Sequence, residues 1–210
     1  MNTTALHYAM NVIKILPSII IDQIAAGEVV EGPFSVVKEL IENSIDAQSS
    51  LISIMITNGG IDKIHIVDNG YGMTPNDLKK PFKRHATSKI MTIEDLDNIG
   101  TLGFRGEALP SIASVSQVKA SSIHHENQNE GLEIIIHGGE LIKEKNKIGN
   151  RGTSMEVLNL FYNIPARKKF LKTANTEKRK IIKLVKEYAI ANPKISFTLY
   201  SDEKEIFNLK

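Results

Sequence analysis

The sequence predicts an α+β protein, a two-layer α/β sandwich in which helices cover one face of a mixed, mostly antiparallel sheet. An early pair of alternating segments, 52–56 and 64–68, is separated by Asn58-Gly59-Gly60, and this pattern is typical of a β-hairpin. Helical segments then fall between later strands without strict strand–helix alternation. That order argues against a purely parallel sheet and favours helices packed on one side.

Helices are predicted from apolar periodicity and from residues that begin or end a helix. Pro33 stands where a first turn tolerates proline, ahead of an amphipathic helix through Ala47. Thr74 is placed to cap a helix beginning at Pro75. Pro110 follows the turn at 103–106, so the helix there starts slightly late. The other predicted helices cover 22–30, about 92–100, 107–115 and 177–191, and later strands cover 132–136, 154–158 and 196–200.

Composition favours one globular domain, with 1–14 as a weakly structured lead-in and 15–210 as the folded unit. The chain has 210 residues, of which 41% are hydrophobic and 24% charged. It has no cysteine, which excludes disulfides and thiolate metal sites. The net charge of +2 does not by itself indicate a nucleic-acid partner. No apolar run is long enough to cross a bilayer and no signal peptide is visible, so we expect a soluble, cytoplasmic protein without membrane contact.

One polar stripe follows the helix after Pro33. Glu39, Asn43 and Asp46 are spaced i, i+4 and i+7, so they share one helical face opposite the apolar stripe. Two carboxylates and an amide on one face are compatible with a polar site. For a helix taken by itself, a solvated face in which Lys38 pairs with Glu42 explains the pattern better.

Asp68 is a second candidate because its position in the strand matches that of Ile64 and Ile66. This parity points its carboxylate toward the core face of the sheet, where a charged group needs partners. The glycines of the following turn, Gly70 and Gly72, let a ligand approach the backbone. A capping aspartate in a tight turn remains an equal alternative.

The run from Gly103 to Gly106 precedes a predicted helix and is a candidate anion cradle, because free backbone N–H groups converge at such a turn. Arg105 could add a charged contact. A plain glycine-rich turn is the alternative. The sequence has no P-loop motif, which excludes that kind of phosphate site.

Six segments, in this order, resemble the MutL family of DNA mismatch-repair proteins. They are QIAAGEVV (23–30), VKELIENSIDA (37–47), DNGYG (68–72), RHATSK (84–89), GFRGEAL (103–109) and FYNIPAR (161–167). The second and third also mark the wider class of Bergerat-fold (GHKL) ATPases, which includes gyrase B, heat-shock chaperones and histidine kinases. The resemblance covers nearly the whole chain from about residue 15 and implies the Bergerat ATP-binding fold.

The resemblance also implies an ATP and Mg²⁺ site with a role for each matching residue. Glu39 is expected to activate the attacking water, and Asn43 to give an amide oxygen to Mg²⁺. Asp68 is expected to accept a hydrogen bond from the adenine amine. Gly72 and Thr153 are expected to complete the adenine pocket.

A lid over the triphosphate, at about 85–107, is a further implication. Its expected phosphate neighbours are Thr87, Ser88, Gly103, Phe104, Arg105 and Gly106. In the family, ATP is thought to close the lid and join two protomers into a clamp that contacts mismatch-recognition and downstream repair proteins. Family members continue into a module that supplies a lysine to the γ-phosphate. Nothing after Lys210 supplies it here, so we expect turnover by this chain to be impaired.

Two other functions stay open from the sequence. One is a topoisomerase ATPase subunit or another Bergerat ATPase, against which RHATSK and FYNIPAR argue. The other is an interaction domain that binds ATP without hydrolysing it. Nine Lys or Arg residues and one acid, Glu177, between 166 and 186 also predict weak, salt-sensitive, sequence-independent DNA binding, although a solvated helix flank explains this charge equally well.

Overall fold

The computed structural model describes residues 17–89, 100–103, 106–127 and 130–209. Within these ranges the helices are α1 (Ser18–Val29), α2 (Pro33–Asp46), α3 (Pro75–Leu78), α4 (Ala108–Ser114), α5 (Pro165–Phe170) and α6 (Ala174–Ala191). The strands are β1 (Leu51–Thr57), β2 (Lys63–Asp68), β3 (Gln117–Ile123), β4 (Glu130–His137), β5 (Glu140–Ile148), β6 (Gly152–Leu158), β7 (Ser196–Ser201) and β8 (Lys204–Leu209). Short 3₁₀ turns lie at Asn58–Gly60 and Lys80–Phe82.

The strands form one mixed sheet in the order β5-β4-β3-β6-β2-β1-β7-β8. Every neighbouring pair is antiparallel except β1 and β7, which are parallel. The predicted hairpin is present, because Ile56 pairs with Ile64 across the Asn58–Gly60 turn. The predicted mixed, mostly antiparallel sheet is therefore confirmed.

Helices cover one face of this sheet, as predicted. A single row of paired residues crosses five strands and is buried: Ile54, Ile66, Met155, Ala120 and Ile134. The neighbouring row on the opposite face contains serines and other polar side chains, most of them partly exposed. Because side chains alternate between faces, one side of the sheet forms the core and the other carries this polar row.

Two amphipathic helices fill the core. Helix α2 buries its predicted stripe, and α6 packs against α2 with its own stripe. The buried members are Val36, Val37, Leu40, Ile41, Ile181, Leu184 and Val185. Each fully buried aliphatic side chain stabilises the fold by roughly 1.5–3 kcal/mol, so this interface fixes α2 firmly on the sheet.

Several element boundaries differ from the prediction for local reasons. Helix α6 begins at Ala174, earlier than predicted, because the Thr173 hydroxyl accepts a hydrogen bond from the amide of Thr176. Helix α4 begins at Ala108, which places Pro110 in the first turn and confirms the predicted late start. The helix predicted at about 92–100 lies almost entirely outside the described residues.

Three strands and one helix were not predicted. Strands β5 and β8 are the edges of the sheet and are largely exposed, so they lack the hydrophobic alternation of a half-buried strand. Strand β3 buries the consecutive residues Ala120, Ser121 and Ser122, so it lacks the alternation of a half-buried strand. Helix α5 spans only six residues and buries none of them.

Two arginines from the quoted motifs hold α1 in place. Arg84 forms an ion pair with Asp22 and donates to the carbonyl oxygen of Ile21. Arg167 donates to the carbonyl oxygens at the C-terminal end of α1, those of Gly27 (3.2 Å) and Val30 (2.9 Å). A cation at this end of a helix satisfies free carbonyl groups and complements the helix dipole.

No helix within the described ranges combines the length and apolar character needed to cross a membrane.

Candidate functional site

A cavity of about 880 Å³ opens between α2, the ends of β2 and β6, and the loops before α4. Every predicted site residue that the structure describes lines it: Glu39, Asn43, Asp68, Gly72, Thr87, Ser88, Gly103, Gly106 and Thr153. Phe104 and Arg105 lie outside the described residues. The sequence motifs, which are far apart in the chain, thus meet around one space of the size of a small-molecule site.

Asp68 lies at the floor of the cavity, at the end of β2, and is 9% exposed. Its carboxylate accepts hydrogen bonds from the amide of Gly70 (2.9 Å), the hydroxyl of Ser44 (3.0 Å) and the amide of Thr153 (3.3 Å). The two alternatives for this residue are both realised, since it closes its turn and also lines the cavity. Burial raises the pKa of the carboxyl group, and these hydrogen bonds offset only part of that effect.

Gly72 and Thr153 lie beside Asp68 at the floor of the cavity. Gly72 has a φ of 67°, and a Cβ there would overlap the carbonyl oxygen of Ile123. The Ser122 hydroxyl accepts from the amide of Met73 (2.8 Å) and lies 2.9 Å from the Thr153 hydroxyl. Ser122 was not predicted as a site residue. It is one of two adjacent serines on β3, a strand that was not predicted, and no motif contains it.

Glu39 and Glu42 project from α2 and share Lys38. The Lys38 ammonium lies 2.9 Å from Glu42 and 3.3 Å from Glu39. Partial burial alone would lower the pKa of Lys38, but hydrogen bonds and charges from these two carboxylates raise it overall. Glu42 is only 8% exposed and accepts a 2.5 Å hydrogen bond from the Tyr188 hydroxyl. The predicted Lys38–Glu42 pair is present, but a fully solvated face is wrong for this helix.

Asn43 and Asp46, one turn further along α2, hold a lysine that the sequence did not single out. The Lys89 ammonium lies 2.6 Å from Asp46 Oδ2 and 3.1 Å from Asn43 Oδ1. Asp46 also accepts from the amides of Leu102 (3.1 Å) and Gly103 (3.4 Å). Two features of the sequence pointed to these residues. Asp46 lies on the same helical face as Glu39, seven positions later, and Lys89 is the last residue of the RHATSK segment.

Two of the described segments of the predicted lid, 85–89 and 106–107, lie against each other. A Cβ on Gly106, whose φ is 64°, would overlap the backbone of Ala86. His85 Nδ1 lies 3.2 Å from Glu107. The hydroxyl of Thr87 accepts from the amide of Lys89 (3.1 Å). The contact of Lys89 with Asn43 joins these segments to α2.

Asn43 is the predicted magnesium ligand, and its side chain fits that role. Its amide oxygen faces the cavity and already accepts a hydrogen bond from a cation, the Lys89 ammonium. Amide oxygens are among the ligands that Mg²⁺ takes. Among the described residues, no group of three or more His, Asp or Glu side chains could hold a metal ion.

Comparison with known families gives the site its context. Residues 31–158 match the family of histidine kinase-, DNA gyrase B- and HSP90-like ATPases. The chain belongs to this family. The match contains α2, the hairpin and the strands that line the cavity, so the predicted Bergerat fold is confirmed.

Curated relatives confirm the predicted resemblance to MutL proteins. The chain is 49% identical over 200 residues to the DNA mismatch repair protein MutL of Thermodesulfovibrio yellowstonii, covering 95% of this chain and 36% of that protein. It is 52% identical over 199 residues to MutL of Clostridium perfringens, covering 95% and 29%. The chain therefore spans about a third of the length of these relatives.

Solved structures agree. The ATPase domain of Aquifex aeolicus MutL, complexed with ADP, superposes with a TM-score of 0.71 at 37% identity, covering 87% of this chain and 65% of that one. The N-terminal domain of a DNA repair protein gives a TM-score of 0.76 at 28% identity, covering 90% and 56%.

Proposed function

We propose that this chain binds and hydrolyses ATP as the nucleotide-dependent part of a MutL-like mismatch-repair protein. One observation carries the proposal: the buried Asp68 carboxylate at the end of β2 and the Glu39–Asn43 face of α2 line a single cavity. A purine base and a triphosphate need such a polar floor at one end and acid and amide groups at the other. The ADP complex of the Aquifex aeolicus MutL domain supports the same ligand class.

The base would lie at the sheet end of the cavity. Asp68 accepts a hydrogen bond from the exocyclic amine of adenine, since an ionised carboxylate can only accept. Gly72 leaves the space that a base needs against the backbone, and Thr153 borders the same floor. A carboxylate whose orientation is fixed by three hydrogen bonds needs no rearrangement to recognise the amine.

The phosphates would lie at the helix end. Glu39 orients and deprotonates the attacking water, a task that needs a carboxylate beside the terminal phosphate. The Asn43 oxygen would hold Mg²⁺, which supplies positive charge to the phosphate oxygens. Thr87, Ser88 and Gly103 contribute hydroxyl and backbone N–H groups around the triphosphate.

In the whole protein, we propose that ATP draws the loops at this end onto the triphosphate, promotes pairing of two protomers, and so couples mismatch recognition to downstream repair proteins. The curated relatives are mismatch-repair proteins by name, which supports this setting. His85 and Glu107 already connect the two loop segments. A rise in molecular mass on adding ATP to the whole protein, measured by light scattering, would support this step, and no change would oppose it.

The experiment that tests the site measures ATP binding and turnover for the intact chain, Glu39→Ala and Asp68→Asn. Glu39→Ala should retain binding and lose turnover by at least about a hundredfold. Asp68→Asn should lose binding by at least about a hundredfold, because its amide group can donate where the adenine amine also donates. The exposed Glu31, changed to alanine, is the matched control. Normal ATP binding by Asp68→Asn would overturn the adenine assignment.

A second candidate, an ATP-binding interaction domain without turnover, is favoured by one contact. The Lys38 ammonium lies 3.3 Å from Glu39, so the proposed base is already paired with a cation. Turnover that stays undetectable in the whole protein and also in its Lys38→Met variant would support this second function. Turnover that depends on Glu39 would exclude it.

DNA binding by the basic stretch remains a prediction. Residues 166–186 form α5 and most of α6, and the lysines on the outer surface are exposed together with Phe170, which is 84% exposed. Exposed cations contact phosphates, and an exposed aromatic ring can stack on a base. An affinity for DNA that does not fall between low and moderate salt would contradict the prediction.

A further inference from the structure

The Lys89 side chain lies in the phosphate end of the cavity and is mostly buried, with 19% of it exposed. Its ammonium contacts Asp46 at 2.6 Å and the Asn43 oxygen at 3.1 Å. It also lies beside Gly103, 3.4 Å from the position of a Cβ there. Lys89 thus connects α2 with the loop at Thr101–Gly103.

The oxygen that Lys89 contacts is the one that the proposed function gives to Mg²⁺. An ammonium group donates hydrogen bonds to the same lone pairs of an amide oxygen that a hard metal ion coordinates. Two cations on one oxygen also repel each other strongly in a partly desolvated cavity. The Lys89–Asn43 contact and a metal ion at Asn43 therefore exclude each other.

We propose that the Lys89 ammonium occupies the place beside the Asn43 oxygen that Mg²⁺ would take. It is displaced from this place when the metal binds together with the nucleotide. This inference rests on the proposed ATP site. Asp46 retains the ammonium after displacement, because the 2.6 Å ion pair does not depend on Asn43. Lys89 then needs only a short movement to give up the metal position, and its charge stays beside the phosphates.

Asp46 extends this exchange to a loop. The same carboxylate accepts hydrogen bonds from the amides of Leu102 and Gly103 as well as from Lys89. When the ammonium leaves Asn43, the charge around this shared carboxylate is rearranged. Metal binding is thereby connected to the position of the Thr101–Gly103 loop.

Lys38, the other lysine among the described residues that line this cavity, differs in its partners. It contacts Glu39 and Glu42, and both contacts are to carboxylates. Its removal would leave the Asn43 oxygen unchanged. Competition with the metal is therefore expected of Lys89 and not of lysines in general. Lys83, which is exposed on the segment leading to Lys89, provides a matched control.

The test measures the affinity for ADP by titration calorimetry, once in excess Mg²⁺ and once in excess EDTA. ADP removes any contribution from hydrolysis. The ratio of the two affinities reports how strongly the metal assists nucleotide binding. Lys89→Met should raise this ratio by at least about fivefold relative to the unchanged chain, because Mg²⁺ no longer displaces an ammonium group. Lys83→Met should leave the ratio as it is.

A second variant guards against loss of folding. Lys89→Met leaves the Asp46 carboxylate without its cation, which can destabilise the chain. The double change Asp46→Asn with Lys89→Met removes both charges and should raise the ratio in the same way. If the unchanged chain binds ADP but neither variant raises the ratio, the role of Lys89 is wrong. If the unchanged chain binds no ADP at all, the proposed function itself fails.

Discussion

The two ends of the cavity are built differently. At the sheet end, Asp68 is held by a neighbouring helix hydroxyl and two backbone amides, all uncharged groups of the folded framework. At the helix end, Glu39 and Asp46 are paired with the ammonium groups of Lys38 and Lys89. The first end keeps one geometry, whereas the second depends on charges that long side chains supply.

This difference bears on the ligand that each end would take. A base is uncharged and is recognised by hydrogen bonds, which favours a rigid floor. A triphosphate with its metal carries several charges, so the cations and anions already present must exchange partners when it enters. The hydrogen-bonding groups at the sheet end are therefore fixed before the base binds, whereas the charged groups at the helix end change partners when the triphosphate binds.

The largest expected effect is at the rigid end. Gly72→Ala should lower the free energy of unfolding by about 3 kcal/mol, because the new Cβ meets the Ile123 carbonyl oxygen at a positive φ. Gly100→Ala is the control, since no atom of the described residues comes within 4 Å of a Cβ there. Urea unfolding of both variants measures the difference. Equal stability of the two would show that the floor can adapt and is not rigid.

A smaller effect is expected where the helix end is anchored to the core. Tyr188→Phe removes the 2.5 Å hydrogen bond to Glu42 and should cost about 1.5–3 kcal/mol, as for bonds to charged groups. Burial, followed by the contact with Glu42, raises the pKa of the Tyr188 hydroxyl, which agrees with a strong bond.

The control for this change is Tyr200→Phe. The Tyr200 hydroxyl donates to Glu205 on the exposed edge of the sheet, so its loss should change stability far less. Thermal melts of the two variants compare them directly. If the two melting temperatures fell equally, the Tyr188–Glu42 hydrogen bond would contribute no more to stability than the exposed Tyr200–Glu205 bond.

The smallest effect concerns pH. Burial raises the pKa of Asp68 in the folded state, so its contribution to stability is present at low pH and lost as pH rises through the folded pKa. Relative to the unchanged chain, Asp68→Asn should therefore gain stability as the pH rises toward neutral. The gain should shrink as the pH approaches about 4.

Asp77→Asn should show the opposite trend. Hydrogen bonds from Lys80 and Thr74 lower the pKa of Asp77, so its contribution is present at neutral pH and lost as pH falls. Urea unfolding of both variants at several pH values checks the two directions. A gain for Asp68→Asn that did not change with pH would contradict a desolvated carboxylate at the floor.

What the sequence predicts well is local. The burial of Asp68 follows from its parity along β2, and the apolar stripe of α2 follows from the helical period. Both patterns are set within a few residues. The exposed edges β5 and β8 escape prediction because pairing with a neighbour, rather than their own pattern, makes them strands.

The missing parts of the site are contacts between distant segments. Lys89 meets Asp46 across 43 positions, and Tyr188 meets Glu42 across 146 positions. Periodicity carries no information about such pairs. The motifs located Asn43 and Glu39, but only the folded chain shows that their neighbours Asp46 and Glu42 are buried partners and not a solvated face.

The most direct test of the account compares the binding of ATP and GTP to the intact chain in the presence of Mg²⁺. The two nucleotides share their phosphates and differ in the base, and guanine presents a carbonyl oxygen where adenine presents its amine. Because ionised Asp68 can only accept, we expect one ATP site per chain and binding of GTP that is at least about a hundredfold weaker. Equal affinity for ATP and GTP would contradict the assignment of Asp68 to the base and, with it, the proposed orientation of the nucleotide.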